Sequence, residues 1–356
     1  VNKGYGIVGC GNISRFHFRG LQKAGARIVH VADVNRKAAE AAAAPLGARV
    51  SEDYQELLED PAVRTVCVLT GGRSHHRICL DAIRAGRHVI CEKTLADGAD
   101  EAREIVRAVR DGNARGGTPG AAGRVLFFVG FMKRFFPAAV KMKELLPRIG
   151  RIFSAQVRSY QPWGDFFTGT DLGAYSGVVD NYGGAALKCA GSHMLDMTVW
   201  MLGTPVSVLG HMDYVSGTRF DRKATALLVY ADGAAVSFEC AAHPLGAVGY
   251  ERNGWDEWIQ ITGTGGRLEL YTVKWDTPEN NPALLVHTDD AAGTRTEYAF
   301  PRVNPFDMEL QRFDAWIRAG EQGEPGVADG MRVDILIEAI AYSHEEGRAV
   351  TPVWDA

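Results

Sequence analysis

The chain has 356 residues, 46% of them hydrophobic and 23% charged, with a formal net charge of −4. At roughly 150 residues per domain that length suits two domains, and the balance is that of a soluble globular enzyme. The mild acidity without any basic run argues against nucleic acid or an anionic membrane as partner, and no apolar stretch is long enough to span a bilayer.

The chain opens as a strand running into a glycine turn. Ile7 and Val8 suit a buried parallel strand. In the following Gly9-Cys10-Gly11-Asn12-Ile13-Ser14, Gly9 permits a tight turn and Gly11 lets the backbone approach a phosphate. Ser14 fills the third glycine's place with a small residue, and the next helix presents N–H groups and a positive dipole end to a pyrophosphate. A second apolar strand, Ile28 to Ala32, ends at Asp33, 24 residues beyond Gly9. A carboxylate at about that offset meets the adenosine ribose hydroxyls. Asp33 would repel a 2′-phosphate, which favours NAD. Arg36 could accept that phosphate, so NADP remains possible. The alternative is an ordinary βαβ unit with glycine in its turn.

Helices predicted at 12–23, 36–46, 51–59, 74–85 and 98–111 alternate with strands at 3–8, 28–33, 65–69, 88–91 and 125–130. That alternation implies a parallel, doubly wound sheet. The strand at 88–91 delivers Glu92-Lys93-Thr94 at its carboxyl end, where ligands bind in open α/β sheets. A lysine there can hydrogen-bond a reacting hydroxyl and stabilise a developing alkoxide; the alternative is a surface lysine. Residues 112–123, rich in Gly and Ala, read as a loop. The six cysteines are scattered without a C-x-x-C pair, which fits a reducing, cytoplasmic compartment. Val1-Asn2-Lys3 leads straight into the first strand, leaving no room for a signal peptide in the sequence given.

From about residue 151 the pattern turns to strands at 151–160, 206–215, 224–230, 234–241, 257–262, 267–271, 284–287 and 295–300. Asp232-Gly233 is a hairpin signal. A mostly antiparallel sheet follows, with helices at 134–147, 188–202, 305–320 and 329–346. On a helix, Cys189, His193 and Asp196 share one face. His193 there could act as general base, could be a helix-face histidine satisfied by Asp196, or could join a zinc site. No spaced cluster elsewhere supports zinc, and no metal is expected. The segment from Tyr160 to Tyr182 mixes aromatics with Asp165, Asp171 and Asp180. It could grip a polyol through ring faces and carboxylates, or its aromatics could plug the core or a subunit contact. Trp255, Trp258 and Trp275 belong to the core or an interface of the sheet domain.

These motifs, in this order, resemble the Gfo/Idh/MocA oxidoreductases. The resemblance rests on Gly6 to Ser14, on His75 with Ala82-x-x-Ala85-Gly86-Arg87-His88-Val89, and on Cys91-Glu92-Lys93-Thr94, which is similar to the family's E-K-P signature. It continues through Gly191-Ser192-His193-Met194-Leu195-Asp196 and the tail from Asp329-Gly330 to Val350. The resemblance implies an α/β protein with an N-terminal Rossmann dinucleotide-binding domain over 1–130. Residues 131–356 would form an α+β domain with a large open, mostly antiparallel sheet for substrate and oligomerisation, its C-terminal helices packing back.

By the same resemblance NAD, or NADP, would meet Gly9, Gly11, Asn12, Ile13, Asp33, Arg36, Thr70, His75, Glu92 and Lys93. Lys93 would polarise the oxygen and His193 would act as base, with Cys189 beside them. Substrate would meet Lys93, Arg134, Trp163, Asp180, Cys189 and His193, with Lys133-Arg134 facing it from the sheet edge. The chain departs from the pattern in three places. Thr94 stands where the signature has proline, which loosens the backbone beside Lys93. Gly71-Gly72 replace the frequent Pro-Asn, and Cys189 stands where sugar and cyclitol dehydrogenases of the family carry Asp; Asp180 or Asp196 could compensate. The implied activity is hydride transfer between nicotinamide and a secondary hydroxyl or ketone of a sugar, cyclitol or derivative, in a homodimer or homotetramer. The alternatives are redox-assisted glycoside cleavage using bound NAD and, last, a non-catalytic dinucleotide sensor.

Overall fold

The computed structural model describes residues 4–114, 124–276 and 281–356. It divides into two compact units, one formed by residues 1–131, 306–334 and 355–356, the other by 132–305 and 335–354. The boundary is not a single cut, because part of the C-terminal tail belongs to each unit.

The first unit contains β1 (Gly4–Val8), β2 (Ile28–Ala32), β3 (Arg49–Ser51), β4 (Val63–Val68), β5 (His88–Cys91) and β6 (Phe127–Val129). They form one sheet in the order β3-β2-β1-β4-β5-β6, parallel throughout. Helices α1 (Ser14–Lys23), α2 (Arg36–Ala43), α3 (Tyr54–Glu59), α4 (Gly72–Arg84) and α5 (Ala99–Ala114) follow successive strands. Ile7, Val31, Val66, Val68 and Ile90 have no accessible surface, as strands covered on both faces require. Each such side chain contributes about 1.5–3 kcal/mol through burial. The strand order reverses between β1 and β4, so the carboxyl ends of β1, β4 and β5 open toward a shared crevice. Residues 112–114 end α5 rather than begin a loop; 115–123 lie outside the described residues, as does residue 3 of the first predicted strand. The unpredicted β3 is a half-exposed edge strand of three residues.

In the second unit, α6 (Pro137–Leu145) starts at a proline and is flanked by 3-10 turns over Met132–Phe135 and Leu146–Ile149. These pieces replace the single predicted helix at 134–147. The other elements are β7 (Ile152–Gln161), α7 (Val178–Tyr182), α8 (Ser192–Leu202), β8 (Ser207–Tyr214), β9 (Asp221–Val229), β10 (Ala235–Ala242), β11 (Asp256–Gly263), β12 (Gly266–Tyr271), β13 (Leu284–Asp289) and β14 (Thr294–Tyr298). Eight strands pair in the order β14-β13-β12-β11-β7-β10-β9-β8, antiparallel except for β10 beside β7. Along β11, Glu257, Ile259 and Ile261 are buried and alternate with partly exposed Trp258, Gln260 and Thr262. That alternation marks a sheet covered on one face. The Asp232-Gly233 turn joins β9 to β10 as predicted, with Gly233 at φ 87°.

Two helices close the chain, α9 (Pro305–Ala319) and α10 (Val327–Glu346). In the first unit Phe306 stacks on Phe16 and Phe313 on Phe128, each pair at 4.8 Å. Asp314 accepts a hydrogen bond from the buried Tyr5 hydroxyl at 2.8 Å. In the second unit Ser343 accepts the Gly210 N–H of β8 at 2.9 Å.

Candidate active site

At the end of β1 the chain turns through Gly9 at φ +98°, where a Cβ would lie 2.9 Å from the Leu69 carbonyl group. Only glycine permits that conformation this close to the segment after β4. At Gly11 a Cβ would meet no atom within 4 Å, so the space above the turn is open. Asn12 is exposed, Ile13 is half-buried, and α1 starts at Ser14, whose hydroxyl donates to the Gly11 carbonyl at 2.7 Å. Asp33 stands beside the turn, its Oδ2 accepting the Cys10 N–H at 2.6 Å and its Oδ1 the Asn35 N–H at 2.7 Å. Burial, reinforced by the Asp33 carboxylate, pushes the Cys10 thiol up to about 12, which suppresses its nucleophilicity. Arg36 is exposed and paired with Glu40 at 2.8 Å and Glu52 at 3.7 Å. An open glycine turn, a helix start and a carboxylate at the end of β2 fit a dinucleotide phosphate and ribose.

Lys93 is half-buried at the carboxyl end of β5, and its peptide bond to Thr94 is cis. Thr94 is buried, and its carbonyl oxygen lies 2.7 Å from His75 Nδ1. His75 Nε2 lies 3.0 Å from the carbonyl oxygen of half-buried Thr70, whose hydroxyl accepts that of Ser74 at 2.6 Å. Donation to both carbonyls needs an imidazolium, yet burial outweighs the two carbonyls and pulls the ring below its ordinary pKa. A neutral ring donates to one of them. Glu92 is buried as well: Oε1 is 2.7 Å from His17 Nε2, and Oε2 accepts the Lys93 N–H at 3.2 Å. His75 and Glu92, expected to touch the cofactor, are both buried; His75 bridges the turns after β4 and β5, and Glu92 joins α1 to the turn after β5.

In the second unit the chain enters α8 through a π-helical turn, Ala186–Gly191. Its wider winding departs from the regular i, i+4 spacing expected between Cys189 and His193, whereas His193 and Asp196 keep their i, i+3 spacing within α8. Cys189 is half-buried in that turn, with its thiol 3.7 Å from the Gly184 carbonyl, and half-buried His193 lies in the first turn of α8. Asp196 is fully buried and accepts Arg134 through both oxygens at 2.6 and 2.8 Å. Arg134, expected at the substrate, forms this internal bidentate pair, which engages both oxygens of Asp196. Lys133 is equally buried and pairs with Glu257, which also accepts Ser159 at 2.6 Å and Gln161 at 3.0 Å.

The π-turn has its own anchor. Asp221, at the start of β9, accepts the N–H groups of Ala185 at 2.6 Å and Leu187 at 2.7 Å. Burial raises Asp221 to about 6, against the opposing pull of those N–H groups and of Lys188. Trp163 stacks on Tyr175 at 5.0 Å, meets Phe220 edge-on and donates its indole N–H to Gln161 at 2.9 Å. Asp165 and Asp171 accept backbone N–H groups of their own turns. Asp180 is exposed, 3.6 Å from Arg219. Within the aromatic segment Trp163, Phe166 and Tyr175 pack on one another and on Phe220. Trp255 is buried beneath Lys133, and Trp258 lies under Arg158.

His17, Glu257 and Asp221 escaped the sequence reading. His17 carried one signal, a histidine on the apolar side of α1. Asp221 carried none, since its partners lie more than thirty residues away. Among the described residues no group of three or more His, Cys, Asp or Glu could hold a metal ion, and no helix is long and apolar enough to cross a membrane.

Comparison with known proteins bears on the whole chain. A model of an oxidoreductase family's NAD-binding Rossmann fold matches residues 3–116, and one of the GFO/IDH/MocA C-terminal domain matches residues 139–269. The chain is 30% identical to inositol 2-dehydrogenase 2 of Saccharopolyspora erythraea over 96% of its length and 93% of the relative's. It is 28% identical to inositol 2-dehydrogenase of Ralstonia nicotianae over 96% and 94%. An oxidoreductase domain protein from Kribbella flavida superposes with a TM-score of 0.83 at 24% identity, covering 99% of this chain and 100% of that one. Levoglucosan dehydrogenase in complex with NADH and levoglucosan gives 0.81 at 22% over the same shares. These two likenesses are of fold. The alternating first sheet, the open glycine turn with its carboxylate and the matches over both units lead to one conclusion: the chain belongs to the GFO/IDH/MocA oxidoreductases and is a dehydrogenase of that family, with NAD as its cofactor.

Proposed function

We propose that the protein oxidises a secondary hydroxyl of a cyclitol or sugar, or reduces the corresponding ketone. The observation that carries this reading is the near end-to-end similarity to inositol 2-dehydrogenases, joined to a lysine at the carboxyl end of β5 in the NAD-binding unit. The fold shared with levoglucosan dehydrogenase supports a sugar-like substrate equally well.

NAD bound at the glycine turn supplies the hydride acceptor. Gly9, Gly11, Asn12 and Ile13 would bring backbone to its phosphates, and Asp33 would meet its ribose hydroxyls. Arg36 would approach the same ribose from the surface. Lys93 donates a hydrogen bond to the reacting oxygen and stabilises negative charge as it develops there. His193 takes the hydroxyl proton. Cys189, in the turn before it, meets the substrate where relatives carry a carboxylate.

The test is growth of reduced-nicotinamide absorbance with NAD against inositol, levoglucosan and a panel of other cyclitols, sugars and glycosides. Turnover with a free polyol supports the reading. Release of an aglycone from a glycoside only when NAD is present, without net reduction, replaces it with redox-assisted cleavage. Lys93→Ala and His193→Ala are each expected to lower turnover by about 10²–10⁴-fold while NAD still binds. Full activity in either variant removes that residue from the mechanism.

A further inference from the structure

The roles assigned so far use Lys93 but not the buried groups behind its main chain. His17 has no exposed surface, and its Nε2 lies 2.7 Å from Glu92 Oε1. Its other ring nitrogen, Nδ1, is buried without a hydrogen-bonding partner among the described residues. The adjacent Phe306 ring, 6.3 Å away between centroids, offers it none. This asymmetry selects a tautomer. An imidazolium would bury a second N–H that has no acceptor, whereas a neutral ring protonated on Nε2 leaves only a lone pair unmatched.

Glu92 is therefore hydrogen-bonded without being neutralised. Burial pushes its carboxyl up, but the His17 hydrogen bond, any positive charge on that ring, the Lys93 charge and the Lys93 N–H bring it below the usual carboxylate range. Its two oxygens face different elements, Oε1 toward α1 and Oε2 toward the Lys93 N–H. A Cβ at Gly130 would sit 2.9 Å from Oε1, so the carboxylate keeps this orientation only beside a residue without a side chain.

We propose that neutral His17, acting through Glu92, is a positioning residue for Lys93 and fixes the main chain from which Lys93 reaches the reacting oxygen. The proposal rests on the role given to Lys93 under Proposed function. It adds a residue from α1 to the machinery of the reaction, 75 positions away from the carboxylate it holds.

Two measurements on the labelled full-length protein need no substrate. Long-range proton–nitrogen correlation of the His17 ring should show the neutral form with its proton on Nε2. Hydrogen exchange of the Lys93 amide should accelerate about tenfold in His17→Phe, which cannot donate, and return toward wild type in His17→Gln, which can. With whichever of inositol or levoglucosan turns over, His17→Phe should lower kcat about 10–100-fold while KM and NAD affinity stay within about twofold.

An imidazolium or an Nδ1–H tautomer in the wild type overturns the proposal, and that result stands even if His17→Phe does not fold. So does a folded His17→Phe protein with wild-type exchange and kcat. Lys93→Ala separates the two readings. Full turnover in Lys93→Ala with accelerated exchange in His17→Phe removes Lys93 from the chemistry and shows that His17 orders this segment without serving the reaction. Lost turnover in Lys93→Ala with unchanged exchange and kcat in His17→Phe keeps Lys93 and removes His17.

Discussion

The glycine turn of the first unit and the π-turn of the second both present groups with apparent ligand chemistry, but they use their charges differently. In the first unit Asp33 and Lys93 stay partly accessible at strand ends, beside a turn whose Gly11 faces open space. In the second unit Arg134, Asp196, Lys133, Glu257 and Asp221 are all buried. Their hydrogen bonds run to one another, to neighbouring polar side chains such as Ser159 and Gln161, or to nearby main chain. The same residue types thus stay accessible at strand ends in one unit and are buried as scaffold in the other. Two buried carboxylates, one in each unit, show why the surroundings matter. Glu92 has an imidazole donor and a lysine beside it and is held low, whereas Asp221, met chiefly by backbone N–H groups and by Lys188, is raised to about 6.

Arg134→Ala strains the contrast most. If Arg134 is scaffold, its loss leaves Asp196 buried and unpaired, and stability to urea falls by about 3–5 kcal/mol. Wild-type stability with a raised substrate KM would instead return Arg134 to substrate binding. Asp221→Asn comes next. The folded Asp221 titrates at about 6 rather than 3.8, so between those values the native state holds a proton that the unfolded chain has released. The stabilisation from this group is therefore fully present below the lower value and lost as pH rises through the upper one. The variant cannot titrate there, so the wild type's stability relative to it should decline by about 3 kcal/mol from acid to neutral pH. Urea unfolding at both ends checks this, and a difference independent of pH would remove the buried-acid assignment.

Substitutions in the first unit should act on binding more than on folding. Asp33→Ala is expected to weaken NAD about tenfold, or about 1.4 kcal/mol, and NADP less. Equal losses would undo the ribose assignment. Gly11→Ala is the mildest test of stability, with unfolding unchanged within about 0.5 kcal/mol because the added methyl meets no protein atom. NAD titration should nevertheless show weaker binding. If Gly11→Ala unfolds the protein while leaving affinity intact, the turn is structural and the comparison collapses.

The first sheet was legible because its strands are continuous apolar runs separated by helices, a pattern few other folds produce. Only β3 escaped, since Arg49-Val50-Ser51 passes from exposed to buried within three residues and offers no run or alternation to read. The second sheet was legible through its turn glycines and alternating strands. Its site was not. Charged residues such as Lys133 and Arg134 are read as exposed because they rarely bury, and only the fold reveals that Glu257 and Asp196 await them. The π-turn was equally hidden. The expectation for Cys189 and His193 assumed 3.6 residues per turn, whereas the turn before α8 is π-helical and its N–H groups bond Asp221, a residue far along the chain. His17 shows the same lesson within a single unit, because the carboxylate that gives it meaning enters four strands later in the sheet.

Gly130 places a limit on redesign. Loops after strand ends are natural targets when an enzyme is to be diversified toward new substrates, and 130–134 is such a stretch. A library that varies position 130 would push a side chain into the Glu92 carboxylate and lose activity whatever the new substrate, so its failures would be mistaken for failures of specificity. Keeping glycine there, and randomising elsewhere, separates the search for a new substrate from damage to the lysine's support.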